Sequence, residues 1–356
     1  MGSMVDFYSG KKVLVTGDTG FKGSWLCEWL HLMGAEVLGV ALPPANPQDH
    51  WIQANTGSRV KHIDLDIRDR GKVINTFREF RPEIVFHLAA QAIVRVSYES
   101  PVETFETNVI GSVNILDAIR LMDCVRSVVY VTSDKCYKNL EWSWGYREVD
   151  ELGGHDPYSA SKAAAELVFS SYRDSFFSKR GYLGTVSVRA GNVIGGGDWA
   201  VNRIIPDCIK ALKSEEPIIV RSPDSIRPWQ HVLEPLGGYM LAGMKAWENP
   251  VKFSGAWNFG PDAASIRSVK ELVSNVISVW GSGSSLDKSD PNALHEAKNL
   301  MLSIEKARSE LGWRPRWNFE ESIQKTVSWY KAVEVNGIDA HQATIEDIHA
   351  YTRSIL

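Results

Sequence analysis

Short apolar runs rich in β-branched residues alternate along the chain with longer segments whose apolar positions recur every three to four residues. The first run, Lys12–Thr16 (Lys-Val-Leu-Val-Thr), ends in a glycine loop and predicts a buried strand. Residues 24–33 follow with Trp25, Leu26, Trp29, Leu30 and Met33 at helical spacing. Residues 36–42 form a second strand pattern, ended by Pro43-Pro44, and 60–65, 84–89, 125–132 and 183–188 repeat the theme. Helical patterns at 73–80, 101–121 and 160–177 separate them.

This alternation predicts an α/β fold, a Rossmann-type doubly wound parallel sheet covered by helices on both faces. After Asn192 the regularity breaks at Gly195-Gly196-Gly197. Segments 204–212, 217–220, 232–247, 269–279, 304–311 and 321–333 then mix helices with short strands, and 282–285 reads as a Gly/Ser turn. The expected organisation is a cofactor domain at 4–190 with a return near 235–262, where Trp257-Asn258-Phe259 rejoins the sheet. A smaller mixed α/β cap at 191–234 and 263–356 would bind substrate. Met1-Gly2-Ser3 reads as an expression remnant before a native start at Met4.

Composition narrows the class. The chain has 356 residues, 44% hydrophobic, with a net charge of only -4, so nothing suggests a nucleic-acid or membrane-surface partner. No apolar run is long enough to span a bilayer and no secretory leader is visible, so a cytoplasmic protein is expected. Cys27, Cys124, Cys136 and Cys208 lack metal-ligand spacing and read as reduced thiols; no metal is expected.

The candidate chemistry lies at two places. Gly17-Asp18-Thr19-Gly20-Phe21-Lys22-Gly23 follows the first strand and opens the first helix. There Gly17 can make the tight turn, Gly20 can let a pyrophosphate approach, and Gly23 can pack helix on sheet. The helix N-terminus supplies free amides to phosphates. Second, Tyr158 and Lys162 stand at i and i+4 in Tyr-Ser-Ala-Ser-Lys, on one helix face. The ammonium is expected to pull the phenol below its usual pKa and make it a base for an alcohol proton. Asp134-Lys135 offers a further acid/base pair. An acid at the end of strand two, which would hold the adenosine ribose, is missing: Ala41-Leu42-Pro43-Pro44 stands there. No arginine is present there for a 2′-phosphate, so NAD is expected rather than NADP. Asp66-Ile67 is the candidate for the adenine edge.

Together these residues resemble the extended short-chain dehydrogenase/reductase family, from Thr16 to about Trp317. His87-Leu88-Ala89-Ala90-Gln91 resembles its fourth-strand segment beside the cofactor, and Asn108 its helix-centre asparagine. Val131-Thr132-Ser133-Asp134-Lys135-Cys136-Tyr137 stands where the catalytic hydroxyl segment is expected. The resemblance implies cofactor contacts from Gly17, Thr19, Gly20, Phe21, Gly23, Asp66, Ile67, Leu88, Ala89, Ala90, Asn108, Thr132, Tyr158 and Lys162. Within the family the chain looks like the nucleotide-sugar 4,6-dehydratases. Lys135, where the dTDP-glucose branch commonly has Glu, resembles the CDP-glucose branch. So do Phe21-Lys22-Gly23-Ser24-Trp25-Leu26, Gly196-Gly197-Asp198-Trp199 and Arg227-Pro228-Trp229-Gln230-His231-Val232.

What that implies is oxidation at C4 of CDP-glucose, loss of water across C5 and C6, and hydride return to C6. The catalytic set would be Ser133, Asp134, Lys135, Tyr158 and Lys162. Tyr158 would act as base, Ser133 would bond the C4 oxygen, and Asp134 would be the acid for the leaving hydroxyl. Lys135 would serve C5 deprotonation, either directly or by stabilising the enolate. Gln91, Arg95, Asn192, Arg203, Arg221 and Arg227 are the substrate-binding candidates, with surface ion pairs the alternative for the arginines. Trp199 and Trp229 are either pyrimidine stackers or core residues, and His231 is structural or a nucleotide-edge contact. The resemblance also implies a homodimer through helices at 101–121 and 160–177, with a tetramer the alternative, and a place in 3,6-dideoxyhexose formation for O-antigen. The competing readings are a nucleotide-sugar epimerase, in which Asp134-Lys135 would be idle, and a non-catalytic NAD-binding module, which the Tyr158–Lys162 pair argues against.

Overall fold

The structure is a computed structural model that describes residues 2–289 and 299–353. Met1 of the expected remnant, and residues 290–298 and 354–356 of the expected cap, lie outside the described residues. After helix α1 (Gly2–Tyr8), strand β1 (Lys12–Thr16) leads into α2 (Phe21–Leu32) and β2 (Glu36–Ala41). Strand β3 (Lys61–Asp64), α3 (Arg70–Phe80) and β4 (Ile84–His87) follow. Then come α4 (Ser112–Leu121), β5 (Ser127–Val131), α5 (Pro157–Tyr172) and β6 (Gly184–Ala190). The C-terminal part contains α6 (Ile204–Lys213), α7 (Leu233–Glu248), β7 (Gly255–Phe259), α8 (Val269–Trp280), α9 (Phe319–Tyr330) and α10 (Ala340–Arg353).

Seven strands form one parallel sheet in the order β7-β6-β5-β4-β1-β2-β3. Every residue of β4, β5 and β6 is buried, as the β-branched runs require of strands covered on both faces. The chain winds outward from β1 in one direction and from β4 in the other. That makes a crevice at the carboxyl ends of these two strands, where ligands bind in such sheets. The late return is β7, which pairs with β6 in parallel and sets Trp257 opposite Val188.

Two features differ from the periodicity. The 101–121 pattern is not one α-helix: a helical turn at Pro101–Phe105 passes into a π-helical stretch, Glu106–Gly111, before α4. Gly111 lies so close to Ile67 that a Cβ there would be 2.6 Å from Ile67 Cδ1. Residues 173–177 likewise widen into a π turn after α5. The terminal helix α10 has no counterpart in the sequence reading. Its buried face relies on Ala340, Ala343 and Thr344 beside Ile348 and Tyr351, a weak apolar signal.

One apolar cluster runs from Val13, Val15, Trp25 and Trp29 through Leu236 and Met240 to Ile323, Val327, Ile348 and Tyr351. The N-terminal βα units and the C-terminal helices therefore share a core. A second cluster on the opposite sheet face gathers Leu14, Leu38, Val85, Ile115, Ile119 and Phe169. Glu234 on α7 stitches the shared core. Its carboxylate accepts the Arg316 and Trp317 amides at 3.0 and 2.7 Å and the Tyr351 hydroxyl at 2.8 Å. Burial raises its pKa to about 7 despite those bonds. Among the described residues no helix is long and apolar enough to cross a membrane.

Candidate active site

The glycine loop closes onto the end of β4. Gly17 has φ +75°, and a Cβ there would sit 2.8 Å from the Ala89 nitrogen. The Thr16 hydroxyl accepts the Leu88 and Ala89 amides at 3.1 Å each. No side chain caps α2 at Gly20, so the first-turn amides stay available to an anion. Asp18 anchors the loop from beneath: it is buried, accepts from the His62 ring at 2.7 Å, and packs against Gly39 of β2. Thr19 ties the loop to the end of β2 by donating to the Leu42 carbonyl at 2.9 Å. A cradle with a side-chain-free approach and uncapped amides fits the pyrophosphate of a dinucleotide. Gly17, Thr19, Gly20, Phe21, Gly23, Leu88, Ala89 and Ala90 would line it.

Residues past β5 and on α5 form the reactive wall. Asp156 caps α5 by accepting the Ser159 amide at 2.9 Å, and Pro157 follows in the first turn, which sets where the helix starts. Ser97 accepts the Tyr158 amide at 3.1 Å, and Asn108 donates to Ser161 at 2.9 Å, fixing the first turn against the β4 side. Tyr158 and Lys162 are both buried, with the Lys162 ammonium 6.0 Å from the Tyr158 ring centre. The expected lowering of the Tyr158 pKa is not what this arrangement gives. Burial raises it to about 12, opposed by the Ser133 hydroxyl and the Arg203 charge rather than by Lys162. Burial also lowers the Lys162 pKa to about 8.

Asp134 opens a 3-10 turn after β5. Ser133 caps it, accepting the Lys135 amide at 3.3 Å and donating its hydroxyl to Asp134 Oδ1 at 3.0 Å. The carboxyl is buried, and burial raises its pKa against the pull of Lys135, Ser133 and Lys22. It therefore holds a proton to higher pH than an ordinary aspartate. Gly191 faces it so closely that a Cβ would lie 2.8 Å from Asp134 Oδ2. Lys135 is partly exposed beside it.

Three arginines from separate segments converge opposite. Arg95 and Arg221 both donate to Asn202 Oδ1, at 3.5 and 3.2 Å, although they lie 126 positions apart in sequence. Arg203, next in the chain, pairs with Asp198 at 2.7 Å and is close enough to Tyr158 to act on its titration. Arg227 donates to the Ile226 carbonyl at 2.9 Å on a strand paired with residues 266–268. The Asn192 carbonyl accepts the Gln230 amide at 3.2 Å.

Several expected contact residues direct their side chains elsewhere. Gln91 bonds Thr104 and the Ile93 amide, and Thr132 donates to Glu166, so neither side-chain group faces the crevice freely. Asp66 is bonded by Arg68 through two nitrogens, and Ile67 packs in the core with its carbonyl accepting from Asn114. Asn108 holds Gln91 and Ser161 together. Trp199 and Trp229 are core residues, at 3% and 4% exposure. His231 is fully buried between Trp25 and Trp317 and is structural.

Other groups at the site had no role in the sequence reading. Lys22 sits within reach of Asp134, Lys162, Arg203 and Asp198; burial, then Arg203, lower its pKa to about 8. Its ammonium lies 5.9 Å from the ring of Tyr239, a buried tyrosine whose hydroxyl has no hydrogen-bond partner among the described residues. Lys22 and Asp198 lie inside motifs already quoted, which was signal enough to weigh them. Tyr239 and Glu166 sit in ordinary helical patterns and gave none.

A doubly wound sheet with a glycine loop after its first strand and a Tyr-x-x-x-Lys pair on the helix after its fifth defines an extended short-chain dehydrogenase/reductase. The family model described as GDP-mannose 4,6 dehydratase matches residues 14–326, and the chain belongs to that family. A CDP-glucose 4,6-dehydratase of Salmonella typhimurium is 49% identical over 336 residues, 92% of this chain and 93% of that protein. Among solved structures, the UDP-glucose 4-epimerase of Thermus thermophilus in complex with NAD is 30% identical. It superposes with a TM-score of 0.76 over 89% of this chain and 97% of that one. A dTDP-glucose 4,6-dehydratase from Streptomyces venezuelae with NAD bound is 25% identical, with a TM-score of 0.76 over 91% and 98% of the two chains.

Proposed function

We propose that the protein is an NAD-dependent hydro-lyase that converts CDP-D-glucose to CDP-4-dehydro-6-deoxy-D-glucose and water. The observation that carries this reading is the buried Asp134 carboxyl, bonded to Ser133 and adjoining Tyr158, with Lys135 beside it. An oxidoreductase alone needs Tyr158 and Lys162; a proton-holding carboxyl next to them adds an elimination catalyst. The 49% identity to the Salmonella enzyme supports the choice of sugar nucleotide.

NAD, when bound, supplies the hydride acceptor for C4 and the hydride donor for C6. Tyr158 takes the C4 hydroxyl proton through its minor phenolate form, since burial holds the phenol's pKa at about 12, and the Ser133 hydroxyl bonds the same oxygen as it becomes a ketone. The ketone acidifies C5–H. Lys135 assists loss of that proton by receiving it or by stabilising the enolate charge. Asp134 gives its proton to the C6 hydroxyl, which leaves as water, and a proton returns to C5 as C6 is reduced. Lys162 supports the cofactor ribose and the phenolate charge. Arg95, Arg203, Arg221 and Arg227, with Asn192, serve the substrate diphosphate.

We assign residues 4–190 and about 235–262 to a cofactor lobe, and 191–234 and 263–356 to a substrate lobe. A homodimer fits the exposed apolar side chains of Val102, Ile110, Leu167 and Phe176 on the 101–121 and 157–177 helices. A cytoplasmic location agrees with four cysteines kept as free thiols.

The test offers purified protein CDP-glucose, dTDP-glucose and GDP-mannose and identifies products by mass and NMR. The expected result is loss of 18 Da, about one water, from CDP-glucose with deuterium entering C5 from solvent. Epimerised sugar without loss of water, or no product from any of the three, would overturn the dehydratase reading.

A further inference from the structure

Glu166 lies four residues beyond Lys162, one turn further along the same face of α5. It is buried, as is Arg189 on β6. Arg189 Nε and Nη2 donate to its two oxygens at 2.8 Å each. The Thr132 hydroxyl at the end of β5 donates to Oε1 at 2.5 Å, and the Ser187 hydroxyl on β6 donates to Oε2 at 2.9 Å. One carboxylate thus ties the helix bearing Tyr158 and Lys162 to the two strands that lead to Ser133 and Asn192. Buried ion pairs are a poor route to stability, because desolvation cancels most of their attraction. This one stands where it can do something else.

We propose that Glu166 is a positioning residue of the hydride-transfer centre, registering the Tyr158–Lys162 helix face on β5 and β6 and holding Lys162 in its ammonium form. The sugar nucleotide used to measure turnover rests on the dehydratase reading; the role of Glu166 toward Lys162 does not.

The charges around Lys162 leave Glu166 as the anion that acts on it. Burial lowers the Lys162 pKa to about 8, opposed by Cys136 and then Glu166. Cys136 is itself pushed well above its ordinary value by burial, so near neutrality it is an uncharged thiol and exerts no such pull. His87 on β4 is pushed down to about 3 and is neutral, and Tyr158 on α5 is neutral below about 12. Lys22 from the glycine loop adds a repelling cation. The Glu166 carboxyl stays ionised: burial opposes this, but Arg189, Thr132 and Ser187 together outweigh it. Removing that anion therefore makes Lys162 lose its proton at lower pH.

The experiment compares wild type with Glu166→Gln and with the double variant Glu166→Gln/Arg189→Met, which leaves no unpaired buried charge. The expected result for a folded variant is an alkaline limb of kcat moved down by about one pH unit, with kcat at pH 8.5 reduced about tenfold and KM within about threefold. Titration of Lys162 Nζ by NMR of 15N-lysine-labelled protein, assigned with Lys162→Met, should move the same way. That readout needs no turnover, so a wrong sugar or a wrong reaction leaves it intact. A folded double variant whose Lys162 titration and alkaline limb coincide with wild type overturns the proposal. So does an activity loss equal at every pH.

Discussion

Tyr158, Lys162 and Glu166 stand on one regular helix, each buried, with the helix bonded to three neighbouring segments of the main sheet region. Arg95, on the short helix Val94–Glu99, and Arg221, on a connecting segment, meet at Asn202, an exposed residue with φ +63° that Arg203 follows in the chain. One wall of the crevice is thus set by a long helix packed on the sheet, the other by short segments that join around an exposed turn. The first can hold reacting atoms to within a fraction of an ångström; the second can adapt to the flexible diphosphate proposed for it. Substitutions on the two walls should therefore fail in different kinetic constants.

The largest effect is expected from Tyr158→Phe, which removes the proposed base with little change in packing; kcat should fall about 10²–10⁴-fold, read as product per active site. Asp134→Asn should lower turnover about 10²-fold while a transient of reduced cofactor at 340 nm, roughly the usual absorbance of that species, still forms on adding substrate. Lys135→Met should likewise retain C4 oxidation but lose solvent exchange at C5. Normal C5 exchange in that variant would remove Lys135 from the mechanism. On the loop wall, Arg221→Ala should raise KM about tenfold with kcat nearly unchanged, measured at fixed ionic strength. A kcat loss as deep as that of Tyr158→Phe would erase the distinction between the walls.

A smaller effect is expected from pH. The role proposed for Lys162 needs its ammonium, whose pKa is lowered to about 8. That contribution should be intact below this value and be lost as pH rises through it, while the Tyr158 phenolate, with a pKa of about 12, grows with pH. Asp134, with its pKa raised, keeps its proton further toward neutrality than a free aspartate, so its loss of function also falls on the rising-pH side. The smallest change in chemistry should come from Leu167→Asp, at a side chain 62% exposed on α5. It should shift the sedimentation mass from that of the proposed dimer to that of a monomer while leaving the folded chain's spectrum unchanged.

The strands were legible because fully covered parallel strands read as unbroken apolar runs, and β1 begins and ends where its five residues do. The Tyr158–Lys162 pair was legible because helical spacing alone joins residues four apart. The meeting of Arg95 with Arg221 was not, since no periodicity links residues brought together by an exposed turn. The titration of Tyr158 was misjudged for a related reason. Spacing reveals which charge is near a phenol but not how completely the fold removes water from it, and here dehydration is the larger influence. Helix α10 escaped notice because alanine and threonine carry much of its buried face.

The apolar cluster that passes from Trp25 and Trp29 to Ile348 and Tyr351 has a consequence for anyone who wishes to cut the protein apart. A fragment ending after β6 would retain the glycine loop and the Tyr158–Lys162 pair, yet leave bare the side of α2 that α7 and α10 cover. Such a fragment should precipitate or scavenge other chains. The cofactor half of this protein is a topological unit, recognisable by its strand order, without being a separable folding unit.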